Sequence, residues 1–332
     1  MKFVFGPVPS KRLGQSLGID PIPLKTCNWN CVYCQLGRSV PLSNQRSEFF
    51  PRQAILEEIE QALQACSPGK IDWVTFVGSG ETTLHSGLGW LIRQTKQITA
   101  LPVAVITNGA LLYLPEVRRD LMAADVVLPT LDAGNASLYR RINRPWPRLT
   151  FDRQVSGLMA FRREFPGRLW VELMLVDGLN DSPGALSELA AVLKPIHPEQ
   201  VQINLPTRPP AETWVQPAAR QSILLAKEIL GEVARIIPPQ GGYFSLGNPA
   251  DIQEAILNVI TRHPMREEEL LEALENAAPG EAQRALDSLA ASGQAKVVTR
   301  YGARFWSAAS TRHANLSLEK KVRSSEKSIA HH

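Results

Sequence analysis

Short apolar runs alternate with longer amphipathic stretches through the first two thirds of the chain. In Pro51–Ala65, the residues Ile55, Ile59 and Leu63 recur every fourth position, which is the spacing of one face of an α-helix. The apolar runs are shorter and several are rich in β-branched residues, which favours buried strands. Six runs are predicted as strands: Leu17–Pro21, Asp72–Val77, Val103–Ile106, Asp125–Leu131, Leu169–Val176 and Gln200–Leu205. This βα alternation predicts an α/β fold with a parallel sheet, open or curled into a barrel.

The pattern changes after a further helix predicted over Arg220–Ile236. Pro238-Pro239-Gln240-Gly241-Gly242 indicates a boundary. Beyond it, three helical stripes precede a hairpin turn at Tyr301-Gly302, an arrangement that resembles a winged helix. The stripes are Ile252/Ile256/Ile260, Leu270/Leu271/Leu274 and Leu286/Leu289. We therefore expect a barrel-like domain with a flanking helix over residues 1–236, a linker over 237–249, a winged-helix-like domain over 250–307 and a disordered basic tail over 308–332.

Charge and hydropathy say little about the partners of this protein and somewhat more about its location. The net charge is +4, but the Lys- and Ser-rich C-terminal tail carries most of the excess, so the charge of the folded part says little about partners. No apolar run is long enough for a transmembrane helix, and the N-terminus lacks the apolar stretch of a secretory signal. We expect a cytoplasmic protein with no membrane association.

Three of the four cysteines lie within eight residues, at Cys27, Cys31 and Cys34. Three thiolates on so short a loop can hold three corners of a [4Fe–4S] cluster and leave the fourth iron open to a small molecule. A structural zinc ion is an alternative, but it requires a fourth ligand such as His85 or Cys66. A redox pair at Cys31 and Cys34 is a second alternative. Outside a metal site, Cys66 is expected to be structural and His85 a cap or surface residue.

Polar residues follow several of the predicted strands. Because the carboxyl ends of parallel strands meet at one edge, these residues are expected to converge on one mouth. They are Gly78 to Glu81, Thr107, Asn108, Asp132, Asp177, Gly178 and Asn204.

The spacing Cys-x3-Cys-x2-Cys, with the aromatic Tyr33 before the last cysteine, resembles the signature of the radical S-adenosylmethionine (radical SAM) superfamily. The resemblance implies a partial (βα)6 TIM-like barrel over about residues 1–210. It also implies a reduced [4Fe–4S] cluster that cleaves S-adenosylmethionine to a 5′-deoxyadenosyl radical, which abstracts hydrogen from a substrate. An external one-electron donor of the flavodoxin or ferredoxin type is expected, because no flavin-binding domain is visible.

The same resemblance implies roles for individual residues. Gly78, Ser79, Gly80 and Glu81 match the motif that holds the methionine amino group. Thr107, Asn108 and Asp132 stand where polar residues contact the methionine carboxylate or the ribose. Val176, Asn204 and Leu205 stand at adenine-facing positions, and Tyr33 belongs to the cofactor site.

Within the superfamily, Phe5-Gly6-Pro7-Val8-Pro9-Ser10 and Leu24-Lys25-Thr26-Cys27 resemble a group of Fe–S oxidoreductases related to the wyosine-forming tRNA enzymes. The chain shows no second cysteine cluster, which many members with such reactions carry. The absence argues against those specific reactions. An RNA-modifying activity, favoured by the arginine-rich segment described next, is one alternative, and a non-enzymatic Fe–S or zinc-binding winged-helix regulator is another.

An arginine-rich segment follows the fourth predicted strand. Aromatic residues and prolines are interleaved with Arg140, Arg141, Arg144 and Arg148. Arginines can clamp phosphate and stack on bases, so these four are candidates for binding RNA or a phosphate-bearing substrate. A solvated surface loop explains the same pattern.

Overall fold

The computed structural model describes residues 1–10, 12–238, 251–277 and 279–311. In these segments, no helix combines the length and apolar character that crossing a membrane demands. The predicted linker falls almost wholly outside the described residues, as does the predicted tail beyond Thr311.

Strands and helices alternate through the N-terminal domain. In chain order they are β1 (Val4–Ser10), β2 (Gly14–Ile19), α1 (Arg52–Ala65), β3 (Trp73–Phe76), α2 (Leu88–Ile98), β4 (Val103–Thr107), α3 (Pro115–Leu121), β5 (Val126–Pro129), α4 (Ala136–Ile142), α5 (Phe151–Glu164), β6 (Arg168–Met174), α6 (Pro183–Ile196), β7 (Gln200–Asn204), α7 (Arg220–Leu230) and β8 (Ala234–Ile236). One sheet contains these eight strands in sequence order. Strands β2 to β8 are parallel, and β1 pairs antiparallel with β2.

The six predicted strands correspond to β2–β7, which confirms the α/β class and the parallel sheet. Two strands were not predicted. The segment 220–236 was predicted as one helix, but α7 ends at Leu230, where Gly231 adopts a φ of +73°. Residues Ala234–Ile236 then pair with β7. The N-terminal strand β1 contains Pro7 and Pro9, which an edge strand tolerates because one side of its backbone has no partner.

Both faces of the sheet are covered. Side chains such as Val105 and Val171 belong to the main core with the surrounding helices. Their neighbours in the chain, such as Ala104 and Trp170, belong to a second apolar cluster on the opposite face, which also takes in Leu13 from the β1–β2 turn. A sheet with helices on one face and its own apolar cluster on the other is consistent with the core of a TIM-like barrel.

Residues 251–311, here named the C-terminal module, have a separate hydrophobic core. Their elements are α8 (Ile252–Arg262), β9 (Met265–Arg266), α9 (Glu267–Ala277), α10 (Ala282–Ala291), β10 (Ala295–Arg300) and β11 (Ala303–Ala308). The strands form an antiparallel sheet in the order β10-β11-β9. The winged-helix interpretation and the domain boundaries stay predictions.

The C-terminal module contacts the barrel near both ends of the strand order. Arg262 forms an ion pair with Asp20, just after β2, with an Nε–Oδ2 distance of 2.9 Å. At the other end, the Arg300 guanidinium donates to the carbonyls of Thr213 and Val215, both at 2.6 Å, in the loop between β7 and α7. The module therefore bridges the two ends of the strand order, β1–β2 and β7–β8.

Candidate functional site

The cysteine loop, residues 27–34, has no regular secondary structure but is held at several points along its backbone. The Val32 N–H donates to the Ile142 carbonyl at 2.9 Å, and the Asn30 N–H donates to the Asn143 carbonyl at 3.0 Å. Trp29 is fully buried and meets the ring of Tyr139 edge-on. The loop is thus fastened to the residues that end α4, at the carboxyl ends of the strands.

Each thiol of this loop is close to an N–H donor. Cys27 Sγ lies 3.4 Å from the backbone nitrogen of Trp29, Cys31 Sγ lies 3.7 Å from Asn143 Nδ2, and Cys34 Sγ lies 3.2 Å from Lys25 Nζ. All three thiols are free. Hydrogen bonds to sulfur are a normal part of iron–sulfur sites, because they stabilise thiolate ligands.

Cys27 and Cys31 are half-buried, and their surroundings disfavour the thiolate form. Burial, reinforced by the nearby Glu81 carboxylate, raises the pKa of Cys27 to about 12. Burial also raises the pKa of Cys31, and the Cys27 and Asp132 charges add to this effect. Thiolates in such a place need positive charge to compensate them, which the iron atoms of a cluster provide. The donor set therefore fits a [4Fe–4S] cluster held by Cys27, Cys31 and Cys34.

The zinc alternative lacks a fourth ligand. His85 is fully buried and both ring nitrogens are engaged, Nε2 with the Phe50 carbonyl and Nδ1 with the Gly87 N–H, each at 3.1 Å. His85 is thus a buried capping residue rather than a surface residue. Cys66 ends α1 beside a separate pocket of about 710 Å³. No group of three or more His, Cys, Asp or Glu residues in the described segments is arranged to hold a single metal ion.

The Gly78-Ser79-Gly80-Glu81 stretch follows β3 and lies against the segment that leads into the cysteine loop. The Lys25 N–H donates to the Ser79 carbonyl at 2.7 Å, and the Glu81 N–H donates to the Thr26 carbonyl at 2.9 Å. A Cβ atom on Gly80 would lie 2.0 Å from the Thr26 oxygen. The glycine at this position is explained by the close approach of these two backbones.

Glu81 brings the ends of β3 and β4 together. Its Oε1 accepts hydrogen bonds from the hydroxyls of Thr83, at 2.5 Å, and Thr107, at 2.6 Å, while Oε2 accepts the Asn108 N–H at 2.7 Å. Burial raises the pKa of Glu81, although these hydrogen bonds oppose the shift. A carboxylate oxygen has two lone pairs, so Oε2 retains the capacity to accept from an ammonium group.

Asp132 joins Tyr33, another predicted cofactor residue, to Asn143, which the sequence did not indicate. Its Oδ2 accepts hydrogen bonds from the Tyr33 hydroxyl at 2.5 Å and from Asn143 Nδ2 at 2.6 Å, and its Oδ1 accepts from the Met174 N–H. Burial raises the pKa of Asp132 to about 6. Asn143 also contacts Cys31, and only the tertiary structure reveals this link between the thiol and the carboxylate.

The three predicted adenine-facing residues lie at the adjacent ends of β6 and β7. The Leu175 N–H donates to the Asn204 carbonyl at 2.8 Å, which aligns the two strand ends. Asn204 and Leu205 are half-buried, whereas Val176 is fully buried in the main core. Their contact with adenine stays a prediction, and the buried Val176 side chain offers no open surface in this conformation.

The four arginines of the arginine-rich segment separate in space. Arg144 pairs with the buried Glu212, which also accepts two hydrogen bonds from Arg38 at 3.0 and 2.7 Å. A pocket of about 540 Å³ is lined by Arg141, Arg144, Asp177, Gly178, Leu179 and Trp214. Arg140 and Arg148 are exposed and do not line it. Glu212 lies in the long β7–α7 loop, and no local pattern singles it out.

A second buried network that the sequence did not indicate holds Ser79. Asp20 accepts hydrogen bonds from the Ser79 N–H at 3.0 Å and from its hydroxyl at 2.5 Å. The same carboxylate pairs with Arg262. The C-terminal module therefore reaches a residue of the predicted methionine-binding stretch through one intervening carboxylate.

Comparison with known proteins identifies a family model and relatives that match this chain. Residues 22–190 match the family model of the radical SAM superfamily. A UPF0026 protein of Methanocaldococcus jannaschii is 35% identical over 280 residues, which cover 82% of this chain and 86% of that protein. A Brachyspira hyodysenteriae protein named GTPase Obg is 41% identical over 266 residues, or 79% of this chain, but the chain spans only 39% of the length of that relative.

A solved structure of TYW1 with a lysine-pyruvate adduct covers 94% of this chain and 84% of its own, at 13% identity and a TM-score of 0.45. The family model, which matches about half of the chain, is what places the chain in the superfamily. Members of the matched family are enzymes that use a [4Fe–4S] cluster and S-adenosylmethionine and that need an electron donor. The resemblance inferred from the cysteine spacing is confirmed, and the chain belongs to the radical SAM superfamily.

Proposed function

We propose that this protein cleaves S-adenosylmethionine reductively and abstracts a hydrogen atom from an unidentified substrate. The observation that carries the proposal is the set of three free thiols on one loop, each beside an N–H donor, at the carboxyl ends of the strands. When bound, the cluster supplies one electron to the sulfonium. A flavodoxin- or ferredoxin-type protein is the proposed source of that electron.

The protein groups around the loop have distinct proposed roles. Lys25 donates to Cys34 Sγ and to the Gly37 carbonyl at 2.6 Å, so its charge is held against the loop. Glu81 Oε2 is positioned to accept from the methionine ammonium. The Tyr33–Asp132–Asn143 network orients the loop from the other side. The buried Trp29 excludes water behind the thiols.

An anaerobic assay tests the proposal. The full chain is reconstituted with iron and sulfide, reduced with dithionite and incubated for long periods with S-adenosylmethionine, and 5′-deoxyadenosine is measured. The wild type should form it, whereas Cys31→Ala should bind less iron and form none. Cys66→Ala is the matched control and should behave as the wild type. No product above the Cys31→Ala background from a loaded, reduced wild type would favour a non-enzymatic regulator, an interpretation that membership of an enzyme family disfavours.

A second candidate is RNA modification, favoured by the pocket beside Trp214. This tryptophan is 44% exposed and shares the pocket with Arg141, whose position suits a backbone phosphate while a base stacks on the indole. Trp214→Ala should weaken binding of a short single-stranded RNA about tenfold, measured by fluorescence anisotropy. Arg148→Ala, in the same segment but outside the pocket, should change it much less. Equal effects of the two variants would mean that RNA binds by general electrostatic attraction and not in this pocket.

A further inference from the structure

Arg208 lies at the junction of the cysteine loop and the C-terminal module. It follows the end of β7 by four residues, and its Nη1 donates to Gln35 Oε1 at 3.2 Å. Gln35 directly follows Cys34, and its Nε2 lies 3.0 Å from the Arg262 carbonyl and 3.2 Å from His263 Nδ1. Gln35 therefore links the guanidinium both to the cysteine loop and to the C-terminal module.

The charges around Arg208 are unbalanced. Arg12 pairs with Glu172 and Arg262 pairs with Asp20. Arg208 has no carboxylate within ion-pair distance among the residues that the structure describes, and the Glu269 charge acts on it only at longer range. Burial lowers the pKa of Arg208, and burial together with Arg208 lowers the pKa of Arg12 to about 10. Both groups remain cationic at neutral pH.

Most N–H donors of Arg208 have no hydrogen-bond partner among the described residues. A guanidinium carries five N–H groups, and Gln35 accepts from only one of them. The described part of the chain encloses several polar atoms that lack a partner, but no Arg208 nitrogen is among them. The side chain as a whole is half-buried. Its unused N–H groups are consequently not fully enclosed and can meet a small group next to the residue that follows Cys34.

His263, which contacts Gln35, is a neutral histidine close to Arg208. Burial and the charges of Arg208, Arg262 and Arg12 lower the pKa of His263 to about 3. The side chain is therefore uncharged near neutral pH. Arg208 and Arg266, whose charge also acts on Arg208, are then the nearby cations without an ion pair among the described residues. A partly desolvated cation with unused donors is stabilised by an oxyanion, since charge-assisted hydrogen bonds are strong where water is scarce.

We propose, building on the proposed function, that Arg208 anchors an anion-binding subsite for a phosphate or carboxylate group of the substrate. Gln35 orients the guanidinium from the cysteine loop, and the C-terminal module completes the subsite by holding Gln35. The substrate is thus a molecule with an oxyanion that fits beside the loop, and the module takes part in its recognition.

Isothermal titration tests the subsite with inorganic phosphate in one arm and succinate in the other. The anaerobically purified, cluster-loaded full chain is used in chloride buffer without S-adenosylmethionine or reductant. At least one anion should bind saturably, and the tighter arm distinguishes phosphate from carboxylate recognition. Arg208→Met should weaken that binding at least about tenfold, the loss expected for a charge-assisted contact. Arg284→Met, which removes an exposed arginine of α10, should leave it unchanged.

Arg208→Lys keeps the charge without the planar fork, so it should fold and bind with intermediate affinity. If Arg208→Met does not fold, the affinity of Arg208→Lys tests the subsite in its place. Absence of saturable binding in both arms, or wild-type affinity in the folded Arg208 variants, would overturn the subsite. The result is separable from the proposed function, because the titration consumes no S-adenosylmethionine. It can be repeated on the unloaded chain if the cluster does not assemble.

Discussion

In the barrel, neighbouring strand residues such as Ala104 and Val105 are buried on opposite faces of the sheet, so apolar packing holds the strands from both sides. The C-terminal module has an apolar core of its own but meets the barrel mainly through hydrogen bonds and an ion pair, with the Phe5 ring packed against Arg262 and His263 as an added contact. The stability of an apolar core is spread over many side chains, so it survives the loss of one polar group. A hydrogen bond or ion pair is lost completely when one of its two partners is removed. Single substitutions should therefore uncouple the module without unfolding the barrel.

The two regions meet at Asp20 of the barrel, whose carboxylate pairs with Arg262 of the module and accepts a hydrogen bond from Ser79. The site near the cysteines thus combines a rigid part, set by backbone packing, with a part that depends on the docked module. The following four variants test this contrast.

The largest effect is expected from Gly80→Ala, inside the barrel. The new Cβ would lie 2.0 Å from the Thr26 oxygen and 2.6 Å from its carbonyl carbon, and backbone atoms cannot rotate away. The free energy of unfolding should fall by about 3 kcal/mol, and iron loading should fall with it. Gly184→Ala is the matched control, because nothing lies within 4 Å of its Cβ, and it should be neutral or slightly stabilising. Similar behaviour of the two variants would show that the Gly80 contact is relaxed.

Arg262→Met should break the coupling between the regions. It leaves Asp20 buried with only the Ser79 donors, at a cost of about 2 kcal/mol to docking. Urea unfolding should resolve a separate transition of the module, and thermolysin should cut the module faster than in the wild type. Affinity for S-adenosylmethionine should also fall, because Ser79 loses its support. Arg304→Met removes an ion pair inside the module, at an arginine side chain that is 60% exposed, and should change none of these readouts. A single unchanged transition in Arg262→Met would contradict polar docking.

Glu212→Gln tests a polar link within the barrel itself. Burial alone would raise the pKa of Glu212, but the hydrogen bonds from Arg38 and Arg144 hold it below the usual value. Both arginines are partly exposed and can regain water, so the loss should be about 1–2 kcal/mol of unfolding free energy. Glu164→Gln, at a surface pair with Arg118, should cost less than about 0.5 kcal/mol. Equal losses would mean that burial of Glu212 contributes nothing.

An effect of about the same size as that of Glu212→Gln depends on pH and arises at the module boundary. His263 has a pKa of about 3 in the folded protein against 6.5 ordinarily. Between pH 7.5 and pH 5 the unfolded chain gains a proton that the folded chain does not, so acidification lowers the free energy of unfolding. This group contributes about 1–2 kcal/mol to that loss at pH 5. His263→Gln should flatten the dependence, measured by urea unfolding at both pH values, with the exposed His197→Gln as the control. Parallel curves for wild type and His263→Gln would rule out this linkage.

The strands that the hydrophobic pattern predicted are those with long, regular apolar runs. Strands β2–β7 were recognised because both faces of each strand are covered, which keeps polar residues out of them. In contrast, β8 has only three residues, of which two are exposed, so its pattern is indistinguishable from the end of a helix. The proline-containing β1 lacks a strand signature, and only its position at the sheet edge makes it possible.

Some residues of the candidate site were also predicted from the sequence, whereas others were missed. Cys27, Cys31 and Cys34 were predicted as cluster ligands, and Tyr33 as a cofactor residue, from local spacing alone, and these roles stay predictions. Glu81, Thr107 and Asn108 were predicted separately, and the structure brings them into one hydrogen-bonded group. Asn143, Asp20 and Glu212 were missed, because a single polar residue has no local pattern when its partners are distant in sequence.

By itself, the sequence determined the α/β class, the family and the loop that carries the thiols, since each depends on a periodicity or a spacing over a few residues. Only the tertiary structure decided that Arg144 is paired with Glu212 while Arg208 lacks a carboxylate partner among the described residues. It also decided that Arg262 of the C-terminal module supports Ser79 through Asp20. The role of a charge depends on its surroundings, because burial and the nearest opposite charge decide whether it is structural or free to bind a ligand.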